Sequence, residues 1–180
     1  MSRSINRMTE LVLSSLLIAI GILIPMYSPI KIILEPASFT LASHVVIFVA
    51  MFISPFAAVS VAFGTTVGFF LGGFPIVIVI RAATHLVFAM VGSLVIKKQP
   101  QMLESPGASR VLSFFIALLH AVCEVAATSV FYFGNGMSQS YYAHGYVYSV
   151  ILLVGVGTVV HSMVDFELAL LIWKPLSRSM

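Results

Sequence analysis

FPIVIVIRAATHLVFAMVGSL, residues 74–94, is apolar almost throughout, yet it carries Arg81 and His85 one helical turn apart. The run from Pro75 to Ile96 is long enough to cross a bilayer, which asks for about 20 predominantly apolar residues. An ionisable side chain in such a helix faces protein or water rather than lipid, because exposing it to hydrocarbon costs several kcal/mol. Spacing of i,i+4 puts the guanidinium and the imidazole on one face. The stretch therefore reads as a membrane helix with one polar face turned inward.

The rest of the chain agrees. Of its 180 residues, 60% are hydrophobic and 8% charged, and the mean hydropathy is +1.10. A soluble domain is about a quarter charged, and this composition leaves too little polar surface to face water. The expected fold class is an all-α polytopic membrane protein, a six-transmembrane-helix bundle forming one integral-membrane domain over residues 1–180. Its spans fall at about 10–26, 38–53, 56–71, 75–96, 111–133 and 146–173, the second and third being short. Helices are the choice because lipid cannot satisfy open strand edges. The basic start followed by an apolar run lacks a small-residue cleavage pattern and reads as a retained first span. Arg3, Arg7, Lys97, Lys98, Arg110, Lys174 and Arg178 all fall on one side of a six-span arrangement, so both termini are expected in the cytoplasm.

Two outer connections are more than turns. YSPIKIILEPA (Tyr27–Ala37) is expected to fold back over the bundle mouth, and GNGMSQSYYAHG (Gly134–Gly145) brings Tyr141, Tyr142 and His144 to the same end. Their rings suit either a cap over a pocket or interfacial anchoring. Cys123 is the only cysteine, which excludes an internal disulfide.

Two further spans repeat the pattern of the first. His120 and Glu124 share a face of the fifth, with Thr128 one turn on; His161 and Asp165 share a face of the sixth. One reading is a polar chamber that opens outward, lined by the fourth, fifth and sixth helices, with Arg81, His85, His120, Glu124, Thr128 and His161 around a small flat polar ring and Tyr141 and Tyr142 above it. Arg81 offers a planar fork of donors and Glu124 accepts from hydroxyl, amine or ring N–H. The other reading is structural: Arg81–Glu124 ties two helices together, His120 and His161 are packing residues, and Asp165 and Glu167, nearer the cytoplasmic end, serve internal bonds or partner contact. Ser15 and Ala19 in the first helix, four apart, make a small-xxx-small surface for another helix. No nucleotide-binding loop is present, so uphill transport by this chain would draw on an ion gradient or on other subunits. Without an HExxH sequence or a nucleophile triad at usable spacing, no enzyme is expected and no metal is assigned.

The basic start, Ser15-x-x-x-Ala19 and the run IPMYSPIKIILEPASFTLASHVVIFVAMFISPFAAVSVAFGTTVGFFLGGFPIVIVIRAATHLVFAMVG, followed by further helices within 180 residues, resemble the substrate-binding S components of energy-coupling factor (ECF) vitamin transporters. The likeness covers essentially the whole chain. Pro36–Gly92 is most similar to members assigned to pyridoxine or hydroxymethylpyrimidine, or to niacin. What the resemblance implies is a six-helix bundle in the bacterial plasma membrane that binds one water-soluble vitamin near the outer face. It implies a transmembrane coupling protein (T component) and two cytoplasmic ATPases as partners, with no cofactor here and ATP used by the partner subunits. The family's coupling surface is an Ala-x-x-x-Ala motif in the first helix, which Ser15 and Ala19 replace with small residues. Because Glu124 stands to compete with a carboxylate for Arg81, pyridoxine or hydroxymethylpyrimidine is the expected substrate, with niacin the alternative and a solitary ion-coupled carrier a more distant one.

Overall fold

The computed structural model describes residues 6–27, 31–34, 37–40 and 42–179. Helix α1 (Arg7–Tyr27) starts at Asn6, whose Oδ1 accepts from the Thr9 amide at 2.8 Å and so satisfies one of the free N–H groups of the first turn. A two-stranded antiparallel hairpin comes after it, β1 (Lys31–Leu34) on β2 (Ala37–Thr40), with Lys31 opposite Thr40 and Leu34 opposite Ala37. Next come α2 (Val45–Ile53), α3 (Pro55–Leu71), α4 (Ile76–Lys98), α5 (Pro106–Phe133) and the short α6 (Gln139–Ala143). The last long helix begins with a π-helical stretch, Val147–Val156, and continues as α7 (Gly157–Ser179). Proline at the first turn suits α3 and α5: the imide has no N–H to leave unsatisfied, and Ser54 and Ser105 cap the amides of Ala57 and Ala108.

Among the described residues, four helical segments are long and apolar enough to cross a membrane: Arg7–Tyr27, Ile76–Lys98, Pro106–Phe133 and Val147–Ser177; the 17-residue α3 is a shorter apolar helix. The all-helical expectation holds apart from the hairpin. The segment expected as the second span, 38–53, needs correction. It is divided into a strand, a turn and the nine-residue α2, which at 1.5 Å per residue reaches only about 14 Å. Every residue from Val45 to Phe52 is buried. A helix that is apolar all round belongs in a core, and α2 has become the centre of the bundle instead of crossing beside its neighbours. The Tyr27–Ala37 connection lies partly outside the described residues; strand β2 at its end rests against the π-helical stretch.

Side-chain contacts give the helix directions. Glu10 bonds Ser54, Ile18 lies beside Gly64 and Ile22 beside Gly68, so α1 and α3 run parallel. Arg81 with Glu124, Phe88 with His120, and Gly92 near Ile116 make α4 and α5 antiparallel. His44 meets Asp165 and Phe52 meets Trp173, so α2 descends alongside α7. Thus α1, α3 and α5 point one way and α2, α4 and α7 the other. Arg7, Lys97, Lys98, Arg110 and Lys174 gather at one face as a result.

Near that face the core is aromatic: Phe48 stands 5.2 Å from Phe166 and 5.5 Å from Phe88 between ring centroids, and Phe52 packs on Phe166 and Trp173. On the outside, Val12, Leu16, Phe63, Phe70, Ile80, Phe115, Val122 and Val160 are exposed, as suits side chains solvated by lipid. At Gly21 on α1 both α2 and α3 approach closely; an added Cβ would lie 2.5 Å from Thr65 Cγ2 and 2.9 Å from Val46 Cγ2. Thr65 cannot easily swing away, because its hydroxyl donates to the carbonyls of Val61 and Ala62. Gly21→Val is expected to destabilise the protein by about 1–3 kcal/mol through overpacking. A thermal melt in detergent would show a lower midpoint, partly restored when Thr65→Ala is added; an unchanged melt would mean that the helices can separate freely here.

Candidate functional site

At the end of the bundle away from the basic face lies a cavity of about 130 Å³. It is smaller than the few hundred Å³ of a drug-sized pocket, and suits one substituted ring. Its apolar walls come from Pro25 on α1, Ile47 on α2, Phe69 on α3, Phe74, and Ile78 and Ala82 on α4. The polar wall is Thr40, Ser43, His44, Thr65, Arg81, His85, Glu124, Thr158 and His161. Beneath it Phe88 lies with its ring centroid 4.4 Å from His120 and 5.5 Å from His85, so the aromatic core closes the floor.

Glu124 organises the polar wall from α5. Its Oε2 accepts from Arg81 NH2 at 2.8 Å and from the Thr158 hydroxyl at 2.8 Å, tying α4 and α7 to α5. Its Oε1 stands 3.6 Å from His85 Nε2 and 3.6 Å from His120 Nε2, beyond hydrogen-bonding range. Burial makes this arrangement stiff: Glu124 is 4% exposed and His120 fully enclosed. Among the described residues, Arg81 Nε, His85 Nε2 and His120 Nε2 are buried with no hydrogen-bond partner. Native proteins satisfy nearly all such groups, so three of them around one carboxylate stand out, beside Ser113 Oγ and Thr128 Oγ1 elsewhere on α5.

A second carboxylate holds the turn before α2. Asp165 is fully buried; its Oδ1 accepts from the Ala42 amide at 2.9 Å, and its Oδ2 from the His44 amide at 2.9 Å and from His44 Nδ1 at 3.2 Å. His161 Nε2 is 3.4 Å from the same oxygen and 3.0 Å from the Ser43 hydroxyl. Ala42 takes φ +68°, a left-handed conformation that side chains disfavour, and the bonds that Asp165 accepts from its amide and from that of His44 hold it there. Ala42→Gly is expected to raise stability by a few tenths to about 1 kcal/mol, since glycine adopts this φ without strain. A melting midpoint at or above that of the parent is the expected reading, and a clear fall would show that the methyl group packs usefully.

Of the residues singled out from the sequence, Arg81, His85, Glu124 and His161 line the cavity. His120 lies behind them, its Nδ1 3.3 Å from the Ser162 hydroxyl. Thr128 is fully buried one turn beyond Glu124 and does not line the cavity. Tyr141 and Tyr142 do not line it either. The Tyr142 hydroxyl accepts from the Met137 amide and donates to the Tyr132 carbonyl, and the Tyr141 carbonyl accepts from Ser149, so both are fastened close to their own loop. Burial holds the Tyr141 hydroxyl above the usual phenol range; the Arg81 charge opposes that and the Glu124 charge adds to it. Ser15 and Ala19 are exposed on α1 while Ser14 and Gly21 face inward. The chamber expected between the last three long helices has contributions from α1, β2, α2 and α3 as well. His44, Ser43, Thr158, Phe69 and Phe74 were not legible as site residues. His44 alone carried a signal, an imidazole at the head of an apolar run.

Comparison with known proteins finds a substantial relative. The chain is 38% identical over 173 residues to the niacin transporter NiaX of Lactococcus lactis subsp. cremoris (strain MG1363), an alignment spanning 96% of this chain and 77% of that protein. No family model matches the sequence. No solved structure matches it either.

Proposed function

The chain belongs to the substrate-binding S components of ECF vitamin transporters, and from that premise we propose that it captures niacin in the cavity beside Arg81. It is a multi-pass plasma-membrane transport protein for a small vitamin, not an enzyme. Niacin takes the place of pyridoxine and hydroxymethylpyrimidine as the favoured substrate, because the relative is a niacin transporter.

The observation that carries the reading is the buried Arg81 Nε without a partner in a cavity of single-ring size. The competition expected from Glu124 is less exclusive than the sequence suggested. Glu124 engages one guanidinium nitrogen, and arginine has five N–H donors in a fixed fork. A nicotinate carboxylate can take the remaining donors while Glu124 keeps the group oriented. Phe69, Phe74 and Ile78 supply apolar surface for the pyridine ring, and Ser43, Thr158 and His161 supply polar atoms for its edge.

Isothermal titration of the purified chain tests this directly. Nicotinate is expected to bind about 10–100-fold more tightly than nicotinamide, the difference made by a hydrogen bond to a charged partner. Equal affinity for the two, or preference for pyridoxine, would overturn it.

We further place the basic face in the cytoplasm, with both termini there and the cavity mouth outside, in line with the positive-inside rule. The family works with a T component and two ATPases, and Ser15 and Ala19 on the exposed face of α1 suit close approach by a coupling helix. Ser15→Trp and Ala19→Trp are expected to abolish recovery of the complex and uptake while niacin affinity in the isolated chain stays within about twofold, far below the tenfold that 1.4 kcal/mol represents. Undiminished uptake would put the coupling surface elsewhere.

A further inference from the structure

Four of the five histidines in the chain, His44, His85, His120 and His161, converge at the base of the cavity. Three of them form a nearly regular triangle. Ring centroids are 4.8 Å apart for His44–His85, 4.8 Å for His44–His120 and 4.9 Å for His85–His120, each pair close to perpendicular. One ring nitrogen from each falls within 4.8 Å of the others.

We propose that His44, His85 and His120, with Glu124 as a fourth donor, bind a divalent transition-metal ion such as Zn²⁺ at the floor of the cavity. The inference concerns the cavity assigned to niacin above but does not require that niacin be the substrate.

Two independent observations support it. His85 Nε2 and His120 Nε2 are buried and lack any hydrogen-bond partner among the described residues; His85 is 7% exposed and His120 fully enclosed. Both stand 3.6 Å from Glu124 Oε1. That spacing is too long for a hydrogen bond, but two ligands each about 2.0–2.1 Å from a tetrahedral zinc ion lie about 3.4 Å apart. Two of the histidines are also oriented as metal ligands are. A ligating imidazole almost always gives its other nitrogen to a carboxylate, carbonyl or water. His44 Nδ1 faces Asp165 at 3.2 Å and His120 Nδ1 faces the Ser162 hydroxyl at 3.3 Å, leaving Nε2 of each as the remaining nitrogen.

The charges around the triangle favour a cation. Glu124 and Asp165 are two buried carboxylates; among the described residues Arg81 is the guanidinium beside them, and His161 is the fourth imidazole. This leaves a surplus of one negative charge before any anionic ligand enters. Nitrogen-rich donors with a single carboxylate suit zinc, nickel or copper better than calcium or magnesium. The neighbouring set His44, His161 and Asp165 is a weaker candidate, since two backbone amides and His44 already occupy Asp165. His44, His85 and Glu124 all line the cavity, so an ion held by them has a side turned toward a carboxylate or pyridine nitrogen bound there.

The test uses the full chain without a polyhistidine tag, stripped with chelator and titrated with Zn²⁺. A single equivalent should bind, and X-ray absorption at the zinc edge should show a nitrogen shell at about 2.0–2.1 Å with imidazole scattering. Ser162→Ala, which removes the partner of His120 Nδ1, should weaken Zn²⁺ by about 10–100-fold. His144→Ala, an exposed histidine in the outer loop, should change nothing. Trace binding in the parent protein, an all-oxygen shell, or full retention of Zn²⁺ in a His85→Gln/His120→Gln double variant would overturn the proposal. Niacin titration of the stripped and loaded protein runs alongside. Niacin binding without any zinc uptake refutes the metal site alone, whereas zinc uptake without niacin binding supports the metal site and refutes only the choice of vitamin.

Discussion

Arg81→Met is expected to lower nicotinate affinity by two to three orders of magnitude. The substitution removes the charge-assisted donors proposed for the carboxylate, each worth about 1.5–3 kcal/mol. It also leaves Glu124, 4% exposed, facing the incoming anion without its guanidinium. Removing one partner of a buried ion pair costs about 3–5 kcal/mol, so part of the loss will appear in the melting midpoint and part in binding. Arg81→Lys separates the two contributions. It keeps the positive charge but not the fork that serves Glu124 and a second carboxylate together. Calorimetry should therefore place Lys between the parent and Met, with its melt nearer the parent. If Arg81→Met binds nicotinate as tightly as the parent, the carboxylate is held elsewhere and the proposed site falls.

Asp165→Ala is expected to have the largest effect on stability. Asp165 accepts from two backbone amides, Ala42 and His44, that lie 121–123 residues away in sequence, and from the His44 ring. Without it the buried His44 amide and the part-buried Ala42 amide are unpaired at the start of α2, the first at about 1–3 kcal/mol and the second at less. The left-handed Ala42 loses what holds it in place. Breaking a buried charged network of this kind costs about 3–5 kcal/mol, seen as a melting midpoint lowered by about 6–20 °C for a chain of this size. Asp165→Asn should lie between, because its amide oxygen still accepts from one N–H. Parent-like melting of the alanine variant would mean that the turn before α2 holds itself. Ser43 and His44 belong to that turn and line the cavity, so vitamin affinity should fall along with stability.

Much of this architecture can be read locally. The positions of α1, α3, α4, α5 and α7 are set by apolar runs and by caps such as Ser54-Pro55 and Ser105-Pro106, because both signals depend on residues within a turn or two. The pairs Arg81/His85 and His120/Glu124 were legible for the same reason: a helix puts i and i+4 together whatever surrounds it. The second span failed because hydropathy does not distinguish a helix in lipid from one enclosed by other helices, and α2 is the enclosed kind. No local signal marks the π-helical stretch either.

By itself, then, the sequence determined that this is a helical membrane protein with inward polar faces on its last long helices, since amphipathic period and composition act residue by residue along the chain. Tertiary structure alone decided that α2 fills the centre, that Asp165 reaches back to the turn at Ala42, and that imidazoles from α4, α5 and the start of α2 form a triangle above Phe88. Those contacts join residues 32 to 123 positions apart, and which of them form is settled by how whole helices pack, not by any spacing within one helix.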